Sequence, residues 1–151
     1  MQLKKLTIII PCYNEEKTIE ETIRQVKNFK EYILEIIVVD DCSTDQTRDI
    51  LKNLTQDSSV KTIFKDFNEG KGSAIIEGLK YATGEITLIQ DADLEYSPKD
   101  YKTLIRPFLE VNADVVYGSR FLGGGGYVRL HYYFHYLANK ILTNFCNLFT
   151  N

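Results

Sequence analysis

Asp91 and Asp93, separated only by Ala92, are the residues of this sequence best suited to do chemistry. Two carboxylates on one turn offer hard oxygen ligands to Mg²⁺ or Mn²⁺, which take one or two protein carboxylates and fill the rest of their shell with substrate phosphates. Ala92 keeps the turn uncrowded, so both side chains can reach one site. In a reaction that expels a phosphate leaving group, such a cation offsets the developing charge as Lewis acid and template. One Asp-x-Asp is a weak signal. Two further polar clusters, Pro11-Cys-Tyr-Asn-Glu15 and Asp40-Asp-Cys-Ser-Thr-Asp45, give it weight. An acidic turn after a strand is usually a helix cap or a solvated loop, but three on one sheet edge call for a shared reason.

Other chemistries fit less well. Gly70-Lys-Gly-Ser73 fails the P-loop pattern, because position 65 is Lys and Gly72 follows Lys71. The turn after the first strand contains no glycine, which excludes the dinucleotide fingerprint. His131 and His135 stand four apart on a helical stretch, but no Glu follows His131 and no third zinc ligand is evident. There is no Gly-x-Ser-x-Gly elbow, and Cys12 has no identifiable partner histidine.

The elements that must position these groups alternate. Leu6 to Ile10, Glu35 to Val39, Val60 to Phe64, Ile86 to Gln90 and Asp114 to Tyr117 read as five strands, the first stopped by Pro11 and the second by Asp40-Asp41. Ile19, Ile23 and Val26 recur at helical spacing, with Asn14 expected as N-cap. Asp45 is expected to cap a helix carrying Ile50, Leu51 and Leu54. A third helix holds Ala74 to Ala82 with Gly84 as its C′ residue, and Ser97-Pro98 opens a fourth. This alternation predicts an α/β domain, a Rossmann-like, mostly parallel sheet with helices on both faces and ligands outside the strands' carboxyl ends.

At 151 residues, 44% apolar and 26% charged, the chain fits one soluble α/β domain, residues 1–122, followed by a second region, 123–151. That region opens with four glycines, Gly123 to Gly126, and continues as an aromatic helix with Leu130, Phe134, Leu137, Ile141, Phe145 and Leu148 near helical spacing. A formal charge of −3 without a Lys/Arg block excludes a nucleic-acid backbone as partner. Cys12, Cys42 and Cys146 form no Cys-x-x-Cys pair, which points to reduced thiols and a cytoplasmic setting. No run of eighteen apolar residues occurs.

Five segments in order, Ile8-Ile-Ile-Pro-Cys-Tyr-Asn-Glu-Glu16, Val38-Val-Asp-Asp-Cys-Ser-Thr-Asp45, Gly70-Lys-Gly72, Asp91-Ala-Asp-Leu-Glu95 and Gly118-Ser-Arg-Phe121, resemble the family 2 inverting glycosyltransferases, most of all their polyprenol-phosphate (dolichol-phosphate) mannosyl- and glucosyltransferase branch. The resemblance covers roughly residues 5–122. It implies a GT-A fold, a nucleoside-diphosphate sugar donor such as a UDP- or GDP-hexose, and Mg²⁺ or Mn²⁺. Carried over by position, Pro11, Tyr13 and Glu15 would line the nucleotide pocket, with Val39 and Asp41 at the base and ribose. Lys71 joins the nucleotide-sugar contacts. Asp91, Ala92 and Asp93 would hold the ribose-diphosphate edge and the metal, and Glu95 falls where the branch often carries a Gln metal ligand. Arg120 would face the donor diphosphate or an acceptor phosphate, a task suited to a planar bidentate donor.

The family continues well past Asn151, so the resemblance implies a truncated chain whose general base lies in the missing part. A polyprenol-phosphate acceptor is already anionic and needs little base assistance. The aromatic helix admits two readings, packing against the remainder or lying on the cytoplasmic face of a membrane, and when exposed it would make the chain self-associate. Two alternatives stand beside transfer: a nucleotide-sugar-binding fragment without efficient catalysis, and a nucleotidyltransferase, which would want a Gly-rich basic loop in place of Pro11 to Glu15.

Overall fold

Four β-branched runs pair into one parallel sheet. In the computed structural model, which describes residues 5–54, 59–118 and 141, the elements follow as β1 (Lys5–Cys12), α1 (Ile19–Lys27), β2 (Ile33–Asp40), α2 (Thr47–Leu54), β3 (Val60–Phe64), α3 (Lys71–Leu79), β4 (Ile86–Ile89) and α4 (Tyr101–Val111). The strand order is β3-β2-β1-β4, with every neighbouring pair parallel. The order reverses between β1 and β4, and the crevice at such a switch point is where open α/β sheets bind ligands.

Alternation along β1 divides the core. Leu6, Ile8, Ile10 and Cys12 face one side, where Ile19, Ile23 and Val26 of α1, Leu51 of α2, and Tyr101 and Ile105 of α4 bury against them. Ile9 faces the other side with Ile37 and Val39 of β2, covered by Ala74 of α3. Helices therefore lie on both faces, as the alternating pattern predicts.

Several local expectations are corrected. Pro11 does not stop β1, which runs on to Cys12 with Pro11 in register with Val39. Ile9 accepts from the Gln90 N–H beyond β4, whereas Cys12 accepts from Asp41 beyond β2. Odd positions of β1 thus face β4, and by Pro11 that strand has ended, so no ladder bond is lost to the missing N–H. Asn14 does not cap α1. It adopts a left-handed backbone, φ 56°, and its side-chain oxygen instead accepts from the Thr44 N–H at 2.8 Å. Thr18 takes the N-cap position.

Gly84 is not a helix C′ residue, because α3 ends at Leu79. A methyl group at Gly84 would sit 2.6 Å from Thr7 Oγ1 and 2.7 Å from the Thr7 nitrogen, so close passage against β1 is what requires glycine there. Asp114 to Tyr117 forms no strand among the described residues, and Val115 and Tyr117 stay exposed, because no described strand lies beside them to complete a ladder. The expected caps at Asp45 and Ser97 do form: Thr47 N–H donates to Asp45 Oδ1 at 3.0 Å and Lys99 N–H to Ser97 Oγ at 3.3 Å. The glycine stretch and the aromatic helix, with His131, His135 and Cys146, lie outside the described residues apart from Ile141.

Candidate functional site

A cleft of about 330 Å³ opens outside the carboxyl ends of β1 and β4. Three loops build it: Pro11, Tyr13 and Glu15 after β1; Asp91, Ala92 and Asp93 after β4; and Asn68, Gly70 and Lys71 entering α3. Asp41, after β2, completes one wall. The fold thus gathers most of the predicted site residues, and adds Cys12, Asn68, Gly70 and Ala74. Val39 is placed elsewhere, fully buried in the core under α3. Glu95 is exposed and does not line the cleft, and Arg120 lies outside the described residues.

The Asp91–Asp93 turn is held from behind by groups that sequence spacing does not reveal. Thr22 of α1, buried, donates its hydroxyl to the Ala92 carbonyl at 3.0 Å. Gln90, also buried, donates its amide to the carbonyls of Asp91 and Tyr96 at 3.0 and 3.2 Å. The Tyr101 hydroxyl donates to Gln90 Oε1 at 2.8 Å, and burial pushes that phenol above its usual range. These bonds fix both ends of the turn and leave its carboxylates at the surface of the cleft. A polar residue closing an apolar strand, as Gln90 does after Ile86-Thr-Leu-Ile89, is the sequence signal that could have found this support.

The second acidic cluster has a different task. Asp40 is fully buried and pairs with Arg48 Nε at 2.6 Å. Asp41 accepts from Lys65 Nζ at 2.6 Å and from the backbone N–H groups of Glu69 and Gly70 at 3.2 and 2.6 Å. Burial works against the charged form, but Lys65 and the two N–H groups outweigh it and hold the Asp41 carboxyl below its usual range. Asp41 therefore ties down the loop that carries Lys71. Gly70 adopts φ 88° where that loop turns into α3, a left-handed conformation that favours glycine. Asp45 caps α2 and also accepts from the Glu16 N–H, while Glu16 accepts in return from the Gln46 N–H. Of the three clusters, Asp91–Asp93 places two carboxylates among the cleft-lining groups, whereas the others place one each, Glu15 and Asp41.

Cys12 lies at the cleft floor with its thiol donating to the Val39 carbonyl at 3.6 Å. Burial and the carboxylates of Asp40 and Glu15 push this thiol far above its usual range, so it stays protonated and is no nucleophile.

Charge decides what the cleft can accept. Asp41 is neutralised by Lys65, which leaves Glu15, Asp91 and Asp93 against Lys71, the one cation among the described residues lining the cleft. An excess of two negative charges repels a diphosphate unless a cation enters with it. Among the described residues no cluster of three acidic, histidine or cysteine side chains forms a metal cage. Two carboxylates, with the remaining positions left to phosphates and water, suit Mg²⁺ or Mn²⁺. The ammonium of Lys71, 2.5 Å from Asp91 Oδ1, shows that this carboxylate accepts a cation.

The parallel sheet with helices on both faces matches the GT-A fold of glycosyltransferases. Residues 7–149 match Glycosyl transferase family 2, and the chain belongs to that family. It is 36% identical over 122 residues to the dolichol-phosphate mannosyltransferase of Pyrococcus furiosus, covering 80% of this chain and 34% of that protein. Among solved structures it is similar to the mannosyltransferase PcManGT from Pyrobaculum calidifontis in complex with GDP-Man and Mn²⁺, at a TM-score of 0.62 and 30% identity, over 72% of this chain and 33% of that one. S. aureus TarS 1-349 in complex with UDP-GlcNAc is similar at a TM-score of 0.61 and 31% identity, over 81% and 37% of the two chains. The chain spans about a third of the length of these relatives.

Proposed function

We propose that this chain carries the donor-binding part of an inverting glycosyltransferase that moves a hexose from a nucleoside-diphosphate sugar to an acceptor. The observation that supports it is the convergence, in one cleft at the switch point, of Tyr13, Asp91, Asp93 and Lys71 from three separate loops. Tyr13, 45% exposed at the cleft, offers a ring face for the nucleobase. Pro11 and Glu15 line the same wall, and Asp41 stabilises the loop above it.

Asp91 and Asp93 would hold Mg²⁺ or Mn²⁺, which when bound supplies Lewis acidity toward the departing diphosphate. The protein's own part is orientation. Thr22 and Gln90 hold the turn so that its carboxylates bind without rearranging, and preorganised charge of this kind is what stabilises a transition state. The acceptor oxygen attacks the anomeric carbon from the side opposite the diphosphate, and the bond from that carbon to the diphosphate oxygen breaks, leaving its electron pair with the nucleotide. The likeness to a dolichol-phosphate mannosyltransferase supports a polyprenol phosphate as acceptor, met at the cytoplasmic face of a membrane. Among the described residues no helix is long and apolar enough to cross a membrane. Arg120 would meet one of the phosphates.

Calorimetric titration with UDP and GDP, each with and without Mn²⁺, on the chain and on Asp93→Ala tests this reading. Metal-dependent binding that the variant loses is expected, and the nucleotide that binds names the donor base. Absence of binding by either nucleotide would overturn it. Donor hydrolysis or transfer, assayed on the same protein, separates a working transferase from a binding fragment.

A further inference from the structure

Lys71 is the first residue of α3 and follows Gly70, whose N–H is anchored on Asp41 at 2.6 Å. Its backbone is therefore fixed, while its side chain is 58% exposed. That side chain reaches across the cleft, from the α3 loop to the turn after β4, and places its ammonium 2.5 Å from Asp91 Oδ1. It stands where the donor site described above would receive a divalent ion, and it brings a single positive charge to a carboxylate only 22% exposed.

We infer that Lys71 is an internal counter-ion for Asp91 that an incoming divalent cation displaces, after which the same ammonium binds the donor's diphosphate. The inference rests on the donor-site reading. Its logic is electrostatic: with Lys71 on Asp91 the cleft carries less uncompensated negative charge, and the metal must compete for a ligand already paired. An ion pair whose cation is more than half exposed is weak, so the competition is mild and reversible. Once displaced, Lys71 is the one cation among the described lining residues that can meet a phosphate oxygen, as a flexible point charge with three donors. The metal and the nucleotide thus help each other, because the diphosphate gives Lys71 a new partner when Asp91 is taken.

Replacing Lys71 should therefore move two affinities in opposite directions. In Lys71→Met, Mn²⁺ alone, followed by the paramagnetic resonance signal of the free ion, should bind about two- to five-fold more tightly. The nucleotide identified by titration, at saturating Mn²⁺, should bind about ten-fold more weakly, because a charge-assisted bond to phosphate is gone. Lys71→Arg should recover most of the nucleotide affinity. Lys80→Met, which removes the same charge at the far end of α3 and outside the cleft, should leave Mn²⁺ affinity unchanged, which separates a direct pair from a general charge effect. If Mn²⁺ affinity falls or stays the same in Lys71→Met while the parent chain binds metal and nucleotide normally, the counter-ion role is overturned and the donor site stands. If the parent chain binds neither Mn²⁺ nor nucleotide, both are overturned.

Discussion

Replacing Asp41 by Asn should destabilise the protein by about 3 kcal/mol, and the size of that loss tests the role assigned to this carboxylate. Asp41 and Lys65 have side chains only 3% and 10% exposed, with 2.6 Å between Oδ1 and Nζ. Removing one partner of such a pair leaves a buried charge uncompensated, at about 3–5 kcal/mol. Lys65 keeps Glu69 at 3.0 Å and Ser73 at 2.8 Å, so its charge is only partly uncompensated and this share falls to about 2 kcal/mol. The Asn amide must also meet Lys65 or the Gly70 N–H donor to donor, worth about another 1 kcal/mol. A loss of about 3 kcal/mol is a large share of the 5–15 kcal/mol that holds a domain together. In urea at pH 7, followed by circular dichroism, it should lower the midpoint by roughly 1.5–2 M. Lys65→Met should cost a similar amount alone, yet the double variant should cost at least about 1 kcal/mol less than the two losses added, because charge and counter-charge leave together. Losses that add to within about 0.5 kcal/mol, or an Asp41→Asn loss under about 1 kcal/mol, would refute the reasoning.

Three more tests address the frame around the cleft. Glu35 bridges three segments: burial opposes its charge, but hydrogen bonds from Lys5, Thr7 and Thr83 hold its carboxyl at about 2. Its folded value lies below the unfolded one, so its contribution is present above about pH 4.3 and is lost as pH falls through about 2. After allowance for solvent screening that is about 2 kcal/mol, and Glu35→Gln should lose it at pH 7 while flattening the acid limb of stability against pH; an unchanged limb counts against the bridge. Gly84→Ala forces a methyl group to 2.6 Å from Thr7 Oγ1, which should cost about 1–3 kcal/mol and several degrees in Tm, and a wild-type melting curve would rule out the close approach. Thr22→Val removes the bond to the Ala92 carbonyl; nucleotide affinity in Mn²⁺ should fall several-fold beyond a stability loss of about 1 kcal/mol, whereas unchanged affinity would show that the turn holds itself.

The order of the elements was legible because hydrophobic periodicity is a local property. Ile8, Ile9 and Ile10 have to be buried on both faces of a sheet, and Ile19, Ile23 and Val26 can share a face only as a helix. Asp45 and Ser97 were readable as caps for the same reason, since each bonds a backbone two residues away. Pro11, Asn14 and Gly84 were misread because their partners are distant in sequence. Whether Pro11 ends a strand depends on how far β4 runs, Asn14 is bound by Thr44, and Gly84 is glycine because of Thr7.

The same division runs through the site. Sequence alone determined that this chain folds as alternating strands and helices with acidic turns at the strand ends, and it named Asp91 and Asp93 as the pair fit for a divalent ion. Only the tertiary structure decided which acidic turns keep a net negative charge at the cleft. Asp40 and Asp41 look as available in sequence as Asp91 and Asp93, yet Arg48 and Lys65 neutralise them. A carboxylate's role is set by the charges and N–H groups that surround it, and apart from the nearby Ser43 N–H on Asp40 these arrive from residues 8 to 29 positions away along the chain.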